Sequence, residues 1–347
     1  MGFYYDSVLY PFTTPMHILQ FKPLSFIDRL KLGLMTVYLG RVSNWKKYEN
    51  ITVKEWIYKY VGKKIYDVVW GALLEQKFGA RADKIAMTWL YGRIHARIGS
   101  RVGKELLGYM NGSFQVLVDT LVSEIKKNNG RIITGTPVSK VIVENFEAKG
   151  VKTPAGEFKF DRVIVTTAPA LLKKLADFPA AFDAKIAGLE YFGAIVLMMS
   201  MKNSLTPYYW VNMASKESPF VALIEHTNFI DKSVYGGNHI AYLGKYLSTD
   251  DKLYKMADEE VKNVFFAYLK KAFPAFSEAD VIAWKMTREP FSQPIVPLHF
   301  SGMRLDYVTP VKNLFSANMS QIYPEDRGMN YSIMLGNEVS EKILKGE

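Results

Sequence analysis

The 347-residue chain contains no cysteine. That excludes disulfides, thiolate nucleophiles, iron–sulfur clusters and cysteine-ligated zinc. Its five histidines, His17, His95, His226, His239 and His299, show neither HExxH nor any other zinc spacing. No Ser-His-Asp order accompanies a Gly-x-Ser-x-Gly elbow. No stretch approaches the ~20 apolar residues that a bilayer-spanning helix needs. The start lacks the basic segment, apolar core and cleavage site of a secretory signal. A cytoplasmic location is the resulting expectation. Residues 21–42 add an expectation of peripheral membrane contact, because Arg29, Lys31 and Arg41 lie beside an apolar body in a helix-like run. Internal repeats and low-complexity tracts are also missing.

What is abundant is aromatic and apolar. Tyrosine and phenylalanine number 21 each, and 49% of the residues are hydrophobic. A chain of this length with that composition buries a large core, in two domains or one elaborate one. The formal net charge of +10 permits attraction to nucleic acid, anionic lipid or an acidic partner. The basic residues are spread along the chain without a zinc-finger, RNA-binding or helix-turn-helix pattern, so no nucleic-acid role is expected.

Local signals order the chain. FYYDSVLYPF reads as a hairpin turning at Asp6-Ser7. Residues 25–42 form a capped helix opened by Ser25 and Asp28, and Thr52 with Glu55 opens the next. Helices follow over 63–79 and 81–99, each closed by glycine. Residues 113–128 predict a helix, Ile132-Ile133 a strand, 138–144 a second strand, Ala155-Gly156 a hairpin turn, and 163–166 a buried strand. Four strand-like runs then lie between residues 194 and 247, a helix over 250–273, and a further strand from 281. The chain closes on strand NLFSAN and a last helix. The order is helices, then α/β, then a mainly stranded region, then one α/β piece.

The most chemically loaded stretch is NMSQIYPEDRGMN, residues 318–330. A strand ends at Asn318, where α/β proteins place ligand-contacting groups. The Pro324–Gly328 turn then leads into a helix whose first N–H groups suit an anionic or electron-rich atom. Gly336 in that helix predicts close approach of a ligand or strand. On the residues alone, a surface ion pair between Asp326 and Arg327 and a packing glycine at 336 explain the stretch equally well.

The strand ending in a small residue and Asn, followed by YPxDRGxN, resembles the C-terminal flavin-contacting motif of the FAD-dependent amine oxidase-like superfamily, in its protoporphyrinogen oxidase and phytoene desaturase-like branch. DRVIVTTAP at 161–169 resembles that superfamily's strand ending near the nucleotide, and WGALLEQKFG at 70–79 its helical substrate stretch. The resemblance implies an α/β fold with an α+β substrate part, in which an incomplete Rossmann-like FAD-binding domain is interleaved with a mixed-sheet and helical substrate domain. Segments 1–107 and 171–300 would be substrate domain, and 108–170 and 301–347 FAD domain. It implies FAD contacts from Val138, Ala168, Pro169, Asn318, Tyr323, Pro324, Asp326, Arg327, Gly328, Met329 and Asn330. A substrate cavity would be lined by Tyr209, Trp210, Gln293 and Pro294. The activity implied is oxidation or desaturation of an apolar or amine-bearing small molecule by hydride transfer to flavin.

One part of the pattern is missing. The superfamily opens on a strand, a GxGxxG loop holding the pyrophosphate and a second strand ending in an acid. Gly2, Gly33 and Gly40 have neither the spacing nor the context. By that resemblance roughly 80 to 100 leading residues are missing. Three explanations stand: a shortened sequence, a partner chain carrying GxGxxG, or a binding or partner subunit that has lost autonomous FAD binding.

Overall fold

The computed structural model describes residues 1–98 and 108–346. The strands, in chain order, are β1 (Gly2–Tyr5), β2 (Val8–Pro11), β3 (Lys140–Glu144), β4 (Glu147–Thr153), β5 (Gly156–Lys159), β6 (Val163–Val165), β7 (Tyr191–Met201), β8 (Trp210–Met213), β9 (Ala222–Glu225), β10 (His239–Leu247), β11 (Val281–Pro294) and β12 (Leu314–Ser316). The helices are α1 (Pro15–Leu19), α2 (Phe26–Arg41), α3 (Val53–Tyr60), α4 (Lys63–Ile65), α5 (Ala72–Phe78), α6 (Met87–Ile98), α7 (Gln115–Lys127), α8 (Pro169–Leu175), α9 (Ala180–Ala187), α10 (Lys252–Lys255), α11 (Asp258–Ala272), α12 (Phe300–Met303) and α13 (Met329–Lys345). The predicted helix end at Gly99 and domain end at residue 107 lie outside the described residues.

The chain divides into two compact units. The first holds residues 1–96, 189–303 and 324–326, the second 97–188, 304–323 and 327–347. The middle boundary falls later than the 170/171 expected from sequence. Its cause is packing, since α8 lies against both α9 and β3 and carries residues 169–188 with the second unit.

The first unit is built on a mixed seven-stranded sheet in the order β11-β7-β10-β9-β8-β1-β2. Only β1 with β8 is parallel. The β1–β2 turn has φ of 50° at Asp6 and 61° at Ser7, the left-handed pair that a two-residue hairpin of matching twist requires. Alternate residues Ile195, Leu197, Met199 and Met201 of β7 join Leu223 and Leu243 against Val261, Phe265 and Leu269 of α11. The helix expected over 250–273 is in fact two. Arg288 of β11 donates to the carbonyls of Tyr254 (3.1 Å) and Met256 (2.7 Å), holding the chain extended between α10 and α11.

A buried carboxylate organises the loop before β8. Glu225, 2% exposed, accepts from the backbone N–H of Leu205 (2.6 Å) and Thr206 (2.7 Å) and from the hydroxyls of Ser204 (2.8 Å) and Thr206 (2.6 Å). With Asn228 Nδ2 also donating (3.5 Å), five donors and no cation among these contacts make it a structural carboxyl group held by hydrogen bonds.

In the second unit β6 and β12 pair in parallel, Val163 opposite Leu314 and Val165 opposite Ser316. The β3-β4-β5 meander forms a separate antiparallel sheet. It is joined to β12's approach by Ala148 N–H to Lys312 O (2.9 Å) and by Asn313 Nδ2 to Glu147 Oε1 (2.7 Å). Ile132 and Ile133, expected as a strand, are exposed and irregular. A β-branched pair becomes a strand only where a neighbour supplies ladder partners, and among the described residues none lies there. α7 has an apolar face through Val118, Leu121 and Ile125, yet no residue of it is buried.

Glu225→Ala should cost about 3 kcal/mol in urea unfolding, because it strands buried N–H donors. A loss under about 1 kcal/mol would contradict the role given to this carboxylate. Burial lowers the imidazole of His226 below its ordinary 6.5. The folded state therefore binds that proton less readily than the unfolded one. Its contribution is full above the ordinary value and is lost as pH falls below it. The His226→Gln variant should show a flatter decline of urea midpoint between about pH 7 and pH 5 than the parent chain.

Candidate functional site

Parallel pairing sets the C-terminal ends of β6 and β12 side by side, and the N–H of Ala317 donates to the carbonyl of Val165 at 3.0 Å. The chain beyond β6 runs to Ala168 and Pro169, which open α8. The chain beyond β12 runs through Ala317 to Asn318. Ala168, Pro169 and Asn318 thus occupy one edge of the strand pair, the edge at which open α/β sheets receive ligands. The opposite edge carries a shallow recess lined by Phe160, Asp161, Arg162 and Asn313, and none of the predicted site residues is there.

Asn318 is buried and largely committed. Its Oδ1 accepts from the N–H of Ser320 (3.1 Å) and the hydroxyl of Ser320 (2.6 Å), and its Nδ2 donates to Ser316 Oγ (3.3 Å). Its own N–H donates to Gln321 Oε1 (2.7 Å), and Gln321 Nε2 bonds the carbonyl of Ser316 (3.0 Å). The side chain therefore fixes the strand-to-turn exit, with its carboxamide oxygen already accepting two bonds. Val138 lies two residues ahead of β3, exposed, where the N–H of Ser139 donates to Lys152 O at 2.8 Å.

The polar elbow is anchored from a direction the sequence did not disclose. Residues 324–326 cluster with the first unit, whereas Tyr323 and Arg327, both half-buried, belong to the second. Asp326 pairs with Arg93 of α6 at 2.7 Å, and the Arg93 guanidinium stacks over Trp89 at 4.6 Å. Asp326 thus has a partner on α6 that its own turn does not reveal. Beside it, a Cβ on Gly92 would stand 2.3 Å from the carbonyl oxygen of Pro324. Only glycine lets that carbonyl rest on the helix. Arg93 and Gly92 are the positions that sequence reasoning missed.

α13 starts at Gly328, an N-cap with no side-chain hydrogen bond, and no acidic residue occupies its first turn. Met329 and Asn330 are exposed there. This helix end, with its partial positive charge and no built-in carboxylate, suits an electron-rich ring edge such as that of a flavin. A pyrophosphate is not matched in the same way, because the sequence contains no GxGxxG. No strand approaches Gly336: a Cβ there would meet nothing within 4 Å.

The predicted substrate residues do not converge. Trp210 stands in a cross-strand row with Ile224, Tyr242, Met198 and Lys285, on the sheet face opposite α11. It donates from Nε1 to Asn212 Oδ1 (3.0 Å), and Tyr209 packs on Phe229 (5.0 Å). Gln293 and Pro294 instead pair with Phe192 and Tyr191, six residues along β7 from Met198, or about 20 Å at strand rise. Gln293 is buried and donates to Pro294 O at 2.8 Å. The two pairs therefore belong to different parts of the sheet.

The family model for "Flavin containing amine oxidoreductase" matches residues 4–335. No curated protein matches. An oxidoreductase from Methanosarcina mazei superposes with a TM-score of 0.70 at 19% identity, covering 97% of this chain and 77% of its own. A protein provisionally assigned as a protoporphyrinogen oxidase from Exiguobacterium sp. 255-15 gives 0.71 at 13% identity, over 99% and 80%. A putrescine oxidase bound to putrescine gives 0.63 at 14% identity, over 99% and 80%.

Two glycine substitutions separate the contacts at this site. Gly92→Ala should cost about 1–3 kcal/mol by displacing the Pro324 carbonyl from α6. Gly336→Ala should instead raise stability by about 1 kcal/mol, since it adds helix propensity in open space. Thermal unfolding of both variants checks this, and a neutral Gly92→Ala would refute the packing described.

Proposed function

Because the chain belongs to the flavin containing amine oxidoreductase family, whose members are FAD-dependent oxidoreductases, we propose that it oxidises or desaturates an apolar or amine-bearing small molecule. We propose also that a glycine-rich βαβ segment completes its FAD site. Bound FAD supplies the acceptor for the substrate's hydride. This chain's own contribution is position and electrostatics. Gly328, Met329 and Asn330 would present the α13 N-terminus to the flavin ring edge, where the helix end offsets developing negative charge. Ala168, Pro169 and the strand exit fixed by Asn318 would border the nucleotide. Pro324 and Asp326 would rest on Gly92 and Arg93 of α6, and Tyr323 and Arg327 would contact the cofactor.

The observation that carries the reading is the second unit's mixture of order and exposure. Its parallel pair is only three residues long per strand, α7 buries no residue, and among the described residues Ile132-Ile133 have no ladder partner. Parallel sheets are ordinarily covered on both faces and extended by βαβ units. The missing packing and the missing pyrophosphate cradle are thus remedied by the same kind of segment.

The test is to purify the chain alone and after co-expression with a glycine-rich βαβ segment carrying GxGxxG, then add FAD and remove the excess by gel filtration. Near-stoichiometric flavin absorbance is expected with the segment and at least about tenfold less without it. Bleaching of that flavin by an amine or an apolar polyene, without oxygen, would assign the substrate class. A colourless co-purified complex would refute the completed-site reading.

A further inference from the structure

α2 is apolar on both sides. Leu32, Met35 and Leu39 face the interior of the first unit and are buried. At a helical step of about 100° per residue, Phe26, Val37, Leu30, Leu34, Ile27 and Tyr38 fall within one arc of about 120° on the other side. That arc faces solvent: Phe26 is 63% exposed, Ile27 65% and Leu34 70%. Met16 on α1 is exposed as well. The stripe is rigidly presented, because Arg29 donates to the carbonyls of Leu24 (2.8 Å) and Leu19 (2.7 Å) and so ties α2 to the end of α1. Ser25 caps it, its hydroxyl accepting from the N–H of Asp28 at 3.2 Å.

Charge frames this surface. Residues 22–47 contain six basic side chains (Lys22, Arg29, Lys31, Arg41, Lys46 and Lys47) and one acidic, Asp28, a local balance of +5. Lys31 borders the stripe and Arg41 closes its C-terminal end. Tyr38 takes a hydrogen bond from Lys47 Nζ (2.9 Å), giving an amphipathic ring with a cation at its polar tip.

We propose that α2 is a lipid-docking helix, lying in the plane of an anionic bilayer with Phe26, Ile27, Leu30, Leu34, Val37 and Tyr38 inserted and the basic residues against the headgroups. An apolar stripe of this width with basic margins is the pattern of an interfacial helix. At 16 residues it is about 24 Å long, and no helix of the described residues is long and apolar enough to cross a membrane. A second copy of this chain is a poorer occupant, since it would set +5 against +5. The inference is independent of the flavin reading, for it uses none of the residues assigned to that site.

The experiment is flotation of the full chain with vesicles of equimolar phosphatidylglycerol and phosphatidylcholine, and with phosphatidylcholine alone. The chain should float with the anionic vesicles, less with the neutral ones, and be released by high salt. The double substitution Ile27→Glu and Leu34→Glu, both at exposed positions, should lower the bound partition coefficient at least about tenfold with an unchanged melting temperature. The absence of native cysteine allows a second reading: Leu34→Cys, labelled with a polarity-sensitive dye, should shift to blue emission on anionic vesicles. Failure to float, equal binding by the double variant, or a dye emission still that of water overturns the proposal. A solution dimer abolished by the double variant would assign the stripe to a second copy and overturn it equally.

Discussion

The second unit depends on one short interaction, the parallel pairing of Val163–Val165 with Leu314–Ser316. These segments are about 150 residues apart in the chain, and five of the seven strands of the first unit's sheet are encoded between them. Closing so long a loop costs entropy that three ladder residues cannot offset alone. The surrounding bonds share that load. The N–H of Val163 donates to Asn313 O (2.9 Å), the N–H of Ser316 to Tyr307 O (2.9 Å), and Asn313 reaches Glu147 on β4. Because the pairing is parallel, both chains leave the same edge, and Asn318, Ala168 and Pro169 arrive together without any sequence proximity.

That dependence explains what could be read from the sequence. Features closed within a few residues were legible. The Asp6-Ser7 turn, the Ser25 cap and the Thr52–Glu55 box each follow from backbone chemistry that neighbours determine. The superfamily was legible too, because its C-terminal turn is a contiguous string. Features closed by distant partners were not. The break between α10 and α11 is made by Arg288, which a helical pattern over 250–273 does not reveal. Gly92 matters only because Pro324 lies on it, 232 residues later by number. A glycine inside an otherwise good helix was the one available signal. Gly336 offered the same signal, yet no strand packs on it and the space above it is open.

Exposed apolar side chains in the two units have different characters. On α7 no residue is buried, and among the described residues Ile132-Ile133 have no ladder partner. On α2 they lie opposite a well-buried side and are bordered by cations. On the proposed reading the completing segment would cover the first, whereas the second is a surface backed by its own core. Hydrophobic patterning alone does not distinguish them. Burial on the reverse face of the helix does.

The central claim is that the N-terminus of α13 receives the flavin. Amide hydrogen exchange in the complex reconstituted with the glycine-rich segment, with and without FAD, measures this directly. Slower exchange over residues 328–332 on adding FAD is the predicted result, because those N–H groups gain an acceptor. Bound FAD with unchanged exchange over those residues would contradict it and place the flavin elsewhere on the chain.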